Sequence, residues 1–341
     1  MVRITHFRCT IRMSMSLIEP TTQSLTALND STSVTNSPIQ EACRAWLVKS
    51  PSRDTRSNYE RDLGQFLIFC GFAANEVDKL AAIRPHHVAA WRDQLAQAGL
   101  TNSSIRRKLT VLRSLFSYLQ TYGYVGPNPA HSDFVAAPAA PRDGKTVGLT
   151  PENCRRLLEA PSEMTPAGIR DRAIFAVLAY TGCRVGELTR LKVGSYKTTG
   201  VHKILEIHGK GGKERRVPLH PEAAERLEAW LDIAGIRDDS AGPMFRPLAT
   251  ARGHGQKGFI PRPLTRRAVQ KLVAAWVRHL KLDANVTVHS LRVTALTTAR
   301  EQGSDIIDLQ DFAGHADPRT TLTYIRNRDR LSKSPAYVLK Y

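Results

Sequence analysis

The sequence has no apolar run approaching the roughly eighteen residues needed to cross a bilayer, which argues against a helical membrane anchor. It also lacks the continuous apolar stretch of a secretory leader near its N-terminus. Cysteine is scarce: Cys9, Cys43, Cys70, Cys154 and Cys183 are odd in number and form no C-x-x-C pair. A disulfide framework and a cysteine zinc site are both disfavoured, and a reducing cytoplasm is expected. No internal repeat is visible, which sets aside repeat architectures. There is no cluster of carboxylates of the kind that metal-dependent nucleases use to hold their ions, so no metal is expected. Acidic residues are missing from the whole stretch between Asp93 and Asp133.

What is present is positive charge. Lys and Arg number 49 against 31 Asp and Glu, a net charge of +18 with a pI near 10.0. Such a field attracts polyanions. Nucleic acid is the leading partner and an anionic membrane surface the second. With 341 residues, 42% of them hydrophobic, the chain exceeds one core, and two domains are expected.

The predicted organisation is a flexible tail over 1–37, a helical domain over 38–130, a linker over 131–148, a second domain over 149–330 and a C-terminal tail over 331–341. Residues 1–18 carry Arg3, Arg8 and Arg12 with no acid before Glu19, a faint likeness to an organelle transit peptide. An upstream extension is the preferred reading, with Met13 and Met15 as alternative starts. From Thr21 to Ser37 the chain is rich in Ser, Thr and Asn and has too few large apolar side chains to offset its ordering entropy.

Helical periodicity follows in Tyr59, Leu63, Phe66, Leu67 and Cys70, and again in Val88, Trp91 and Leu95, with Pro85 placed to open that helix. Ile105, Leu109, Leu112, Phe116 and Leu119 form one narrow apolar stripe. Arg106 and Arg113 share a neighbouring face with Arg107 further round, a basic flank suited to a phosphate backbone. Pro127, Pro129, Pro138, Pro141 and Gly144 mark the linker. Thr150-Pro151-Glu152 is a helix start: cap, first-turn proline and an acid favoured by the dipole. Lys203–Ile207 and Arg216–Leu219 are predicted strands that bracket a turn at Gly209-Lys210-Gly211-Gly212-Lys213. The expected fold is mainly α with a small β hairpin or sheet.

Cleaving a phosphodiester with side chains alone requires fixed cations on the phosphate oxygens, a nucleophile, and an acid for the leaving oxygen. Three constellations supply candidates. In Thr181-Gly182-Cys183-Arg184-Val185-Gly186-Glu187-Leu188 a glycine sets Arg184 at a helix start, with Glu187 one turn on to hold it or a nearby Lys. In His289-Ser290-Leu291-Arg292 a spacing of three puts both tips on one helix face. Ala313-Gly314-His315-Ala316-Asp317 presents an imidazole on a turn, and Tyr324 follows it nine residues on. Singly, each has an ordinary structural explanation: a surface ion pair, an inert helix pair, a half-buried packing tyrosine.

Taken in this order, the segments LAYTGCRVGELTRL, IHGKGGKERRVPLH, VHSLRVTALTTAREQG and LQDFAGHADPRTTLTYIR closely resemble the catalytic domain of the tyrosine recombinases, or phage integrase family. The resemblance covers roughly residues 150–330, and 38–130 looks more loosely like the family's helical core DNA-binding domain. It implies that Arg184 and Arg292 clamp the scissile phosphate and that Lys210 is the general acid, Lys213 being its local competitor. It implies that His289 is acid/base partner to the tyrosine, that His315 bonds the phosphate and that Glu187 supports the site. Tyr324 would be the nucleophile, leaving a 3′-phosphotyrosyl link and a free 5′ hydroxyl.

The resemblance further implies site-specific recombination of double-stranded DNA through a Holliday junction. Two DNA-binding domains would clamp the duplex, within a homo-tetramer. No cofactor is implied, accessory DNA-bending proteins are compatible, and the nucleoid in a bacterial cytoplasm is the expected place. Arg326–Tyr341, with Leu331, Tyr337, Val338 and Leu339, would dock on a neighbouring protomer. Arg262, Arg266, Arg267, Lys271, Arg278 and Lys281 lie in an acid-free stretch, and the helix opening near Thr265 is a candidate DNA-contacting surface. The rivals are a type IB topoisomerase, a DNA-binding protein that has lost catalysis, and an RNA- or membrane-binding protein. The last leaves the ordered motifs unexplained.

Overall fold

The computed structural model describes residues 37–139, 146–209, 212–249 and 258–325. The chain divides into two compact units between Ala140 and Pro141. The expectations for the tails, and for Lys210, Tyr337 and Tyr341, lie outside the described residues.

The first unit is helical. Helices α1 (Pro38–Val48), α2 (Arg53–Phe69) and α4 (Asn102–Thr121) start at Ser37, Ser52 and Thr101, whose hydroxyls accept from amides of the first turn. Helix α3 (Pro85–Gln97) opens on the proline expected there. The stripe on α4 buries Ile105, Leu109, Leu112, Phe116 and Leu119 completely, against Phe66, Leu67, Trp46 and Trp91. Each such side chain contributes about 2 kcal/mol of burial.

The basic flank of α4 is less bare than the local sequence indicates. Asp62 on α2 is buried and takes ion pairs from both Arg107 and Lys108. The start of the expected linker is held against α4. Asn128 donates to Arg113 O at 3.0 Å and to Ser117 Oγ at 2.9 Å. Arg113 donates to the carbonyls of Ala130 (2.9 Å) and Val135 (2.7 Å), so residues 128–135 pack on α4 instead of leaving it. Proline and alanine mark this segment as irregular, but arginine donors satisfy its carbonyls and hold it down.

The second unit is helical around one small sheet. Helix α5 (Pro151–Glu159) is capped by Thr150, as read from the sequence. Helix α6 (Pro166–Thr181) is buried all round from Ala173 to Leu178 and packs on α8 (Pro221–Ile233), whose Trp230 bonds Met244 O at 2.8 Å. The strands β1 (Tyr196–Thr199), β2 (His202–His208) and β3 (Glu214–Pro218) form an antiparallel sheet in that order. The register pairs Leu205 with Val217 and Ile207 with Arg215. Strand β1 was not expected; it is a short edge with only Tyr196 partly buried, so it has no alternation to read.

Helix α9 (Arg266–His279) buries Val269, Val273 and Val277. Helices α10 (Val288–Glu301), α11 (Ile306–Ala313) and α12 (Pro318–Ile325) follow. Leu296, Leu309 and Ala313 form a small satellite core between them, with Tyr324 packed against it. Among the described residues no helix is long and apolar enough to cross a membrane, and the four described cysteines are free.

Candidate active site

Helix α6 ends where Gly182 takes a left-handed conformation, φ 57°. That turn frees the Gly182 carbonyl and delivers Arg184 to the start of the short helix α7 (Val185–Leu188). Glu187, 3% exposed, accepts from the Arg184 backbone amide at 2.9 Å and from its guanidinium at 2.8 Å. Arg184 itself remains 42% exposed.

A second arginine shares this carboxylate. Arg215 on β3 donates to Glu187 Oε2 at 2.8 Å and is only 11% exposed. It lies on the sheet face that carries Leu205, Ile207 and Val217. A Cβ placed on Gly314 would stand 3.0 Å from Arg215 Nη1, so the turn before His315 closes directly on this guanidinium. The base of the hairpin is near as well: a Cβ on Gly209 would stand 3.8 Å from Glu187 Oε1, and Gly209 N bonds Lys213 O at 2.6 Å. Sequence reasoning missed Arg215. The available signal was its two-residue spacing from Val217, which puts both on one face of the strand.

Arg292 on α10 is 1% exposed. It donates to the Gly182 carbonyl, to Ala313 O at 2.7 Å, and contacts His315 Nε2 at 2.7 Å. A guanidinium has no acceptor, so His315 Nε2 must be the unprotonated nitrogen. Its Nδ1–H then donates to the buried Thr321 hydroxyl at 2.9 Å. Thr321 is a second residue the sequence did not single out, since nothing local distinguishes it from Thr320. The Nε groups of Arg292 and Arg215 are buried and have no partner among the described residues.

Tyr324 closes the group. Its hydroxyl lies 3.3 Å from His289 Nε2. Its ring stacks on His315 (5.3 Å, 19°), and Arg292 Cζ sits 5.9 Å from the ring centre. His289, one turn before Arg292, lines two clefts. One contains Arg184, Arg292, Gln270 and Thr287, and the other contains Thr146, Arg319, Thr323 and Tyr324.

The charges explain the protonation states. Burial would raise the Glu187 carboxyl, but hydrogen bonds from Arg215 and Arg184 bring it down to about 2. Burial, then the positive charges of Arg292, Arg184 and Arg215, push the His315 imidazole down to about 4. Burial, with Arg292 and Arg184, also lowers His289. At neutral pH the pocket therefore holds a carboxylate, three guanidiniums and two imidazoles biased to the neutral form. It is a site built to receive an anion.

The structure thus brings Arg184, Glu187, His289, Arg292, His315 and Tyr324 into one group, while Lys210 falls outside the described residues. Arg266, Arg267 and Lys271 are exposed on α9, Arg267 and Lys271 away from its valines and Arg266 in its first turn on their side, and Arg262 is exposed just before it. Arg266 reaches the site, its Nε standing 3.0 Å from where a Cβ on Gly186 would be. In the first unit Arg106 is exposed and reaches Pro138 O, Arg107 pairs with Asp62, and Arg113 turns to the carbonyls already described.

Known proteins resemble this chain in sequence and in fold. The sequence pattern of the phage integrase family matches residues 148–330, and that of the phage integrase N-terminal SAM-like domain matches 45–123. Tyrosine recombinase XerC of Pelobacter propionicus is 34% identical over 302 residues, covering 86% of this chain and 93% of that protein. Tyrosine recombinase XerD of Ralstonia nicotianae is 31% identical over 302 residues, covering 86% and 91%. Among solved structures, a Tn1549 transposon integrase in complex with circular intermediate DNA superposes with a TM-score of 0.62 at 17% identity, over 89% of this chain and 99% of that one. A lambda integrase dimer bound to a COC′ core site gives 0.61 at 21%, over 84% and 78%. At that level of identity the two structures speak for the fold. The family pattern and the curated relatives together place the chain in the phage integrase family, the tyrosine recombinases, enzymes that break and rejoin DNA at specific sites.

Proposed function

We propose that Tyr324 is the nucleophile of this recombinase and attacks a scissile phosphodiester of duplex DNA. The observation that carries this is the setting of its hydroxyl, 3.3 Å from His289 Nε2, with the ring held against His315 and Arg292. Burial and two arginines bias His289 to the neutral form, leaving a lone pair to accept the phenolic proton. The tyrosine oxygen bonds to phosphorus as the bond from phosphorus to the 5′ oxygen breaks. Lys210 donates the proton that makes the free 5′ hydroxyl. Arg184 and Arg292 stabilise the added negative charge, each donor being worth about a hundredfold or more in rate, and His315 bonds the same phosphate.

The product is a 3′-phosphotyrosyl link that keeps the energy of the broken bond, so rejoining is the reverse step. A second strand exchanged in the same way passes through a Holliday junction. The partner is a double-stranded recombination site occupied by two protomers, in the manner of the lambda integrase dimer on its COC′ core site. Two such sites make a homo-tetramer, with accessory DNA-bending proteins where a site requires them, on the nucleoid in the cytoplasm. Arg106, Arg107, Arg262, Arg266, Arg267 and Lys271 hold the DNA backbone, while Arg113 supports the fold. Support for the division comes from exposure of the first group and the carbonyl bonds of Arg113.

The test is covalent capture. Sheared chromosomal DNA from the source organism, incubated with the protein and washed in detergent, is expected to yield an adduct whose DNA carries a kinase-labelable 5′ end. Tyr324→Phe is expected to abolish it. An adduct of undiminished yield in that variant would remove Tyr324 from the role.

A further inference from the structure

Glu187 receives more positive charge than an orienting carboxylate needs. Arg184 alone would fix its geometry, through a backbone and a side-chain bond to the two oxygens. Yet Arg215 also donates to Glu187 Oε2, from a nearly buried position on another element. A half-exposed Arg184 paired with an otherwise unpaired Glu187 would present little net charge to a phosphate. With Arg215 behind it the carboxylate is already balanced, and the full charge of Arg184 faces outward. Arg215 also lies against the Gly314 turn, so the same guanidinium ties β3 to the segment that positions His315 and Tyr324.

We propose that Arg215 is a positioning residue for strand cleavage: it neutralises Glu187, leaving Arg184 charged toward the scissile phosphate, and it braces the Gly314 turn. This rests on the reading of Arg184 as a phosphate clamp. Its buried Nε, without a partner among the described residues, is consistent with a group retained for more than packing.

The experiment uses the full chain and a nicked duplex carrying a site recovered by the covalent capture above, which traps the adduct after one cleavage. Adduct formation is timed, DNA affinity is measured by gel shift, and folding is checked by circular dichroism. Arg215→Gln is expected to slow cleavage by roughly ten- to a hundredfold, the usual range for residues that support a reactive group, with DNA affinity nearly unchanged. Arg215→Lys keeps the charge and is expected to retain most of the rate. The deciding variant is Glu187→Gln in the Arg215→Gln background, which removes both charges and frees Arg184 again. It is expected to recover cleavage by about tenfold over Arg215→Gln.

A purely structural role predicts no recovery, because the double variant loses two contacts instead of one. Wild-type speed in Arg215→Gln, or a double variant no faster than the single, would overturn the inference while leaving the Tyr324 reading intact. If Arg215→Gln does not fold, the folded double variant is compared with Glu187→Gln alone: equal rates support the inference, and a double variant slower by about tenfold or more overturns it. If the wild type forms no Tyr324-dependent adduct, the reading of the site fails first and takes this inference with it.

Discussion

At His315 one imidazole is held neutral by its surroundings. Burial first, and then three neighbouring guanidiniums, keep its pKa at about 4, against about 6.5 in an unfolded chain. Between those values the unfolded chain binds a proton that the folded protein refuses. Stability is therefore complete above about pH 6.5 and is lost as the pH falls toward 4, by roughly 2–3 kcal/mol from this residue. Urea unfolding at a series of pH values is expected to show that decline in the wild type. His315→Gln, which keeps an acceptor for Arg292 and does not titrate, is expected to flatten it. The same residue shows what was readable beforehand. Its turn and its distance from Tyr324 stand in the sequence, but its neutrality depends on its burial and on Arg292, Arg184 and Arg215, which only the fold assembles.

Among the elements, α4 and α9 both read as basic helices, and the structure separates them. The apolar stripe of α4 was legible because its spacing repeats every three or four residues. The destiny of its arginines was not, because Asp62 lies 45 positions from Arg107 and the carbonyls taken by Arg113 belong to an irregular segment. Arg113→Ala is expected to lower the stability of the first unit by about 1–3 kcal/mol, since two carbonyls lose their donor. It should leave the salt dependence of DNA binding alone. Lys271→Ala is expected to do the reverse: unchanged unfolding, and a slope of log affinity against log salt shallower by about one. If Arg113→Ala reduces that slope and Lys271→Ala does not, the assignment of the two residues is inverted. The hairpin was legible from its glycines and flanking β-branched residues, whereas β1 was not, being four residues long with three of them exposed.

Over the whole molecule the excess of 49 basic over 31 acidic residues has to act through salt-sensitive contacts. Raising salt from about 50 to about 200 mM is expected to weaken DNA binding by on the order of a thousandfold or more, measured by gel shift on the captured site. A change of only a few-fold would mean that the charge is not spent on the phosphate backbone. The division into two units was legible from length and from the proline-rich break. The division falls inside the stretch read as the linker, whose first residues are held on α4.

Arg292 has a consequence in time as well as in space. Its guanidinium holds carbonyls 110 residues before it and 21 residues after it, and His315 two residues beyond those. During synthesis Gly182 leaves the ribosome first, and the segment through Tyr324 follows on the order of ten seconds later. Until then the anion pocket lacks Tyr324, and for most of that interval Arg292 as well. A nascent chain therefore carries DNA-attracting charge well before it carries the residues proposed to cut.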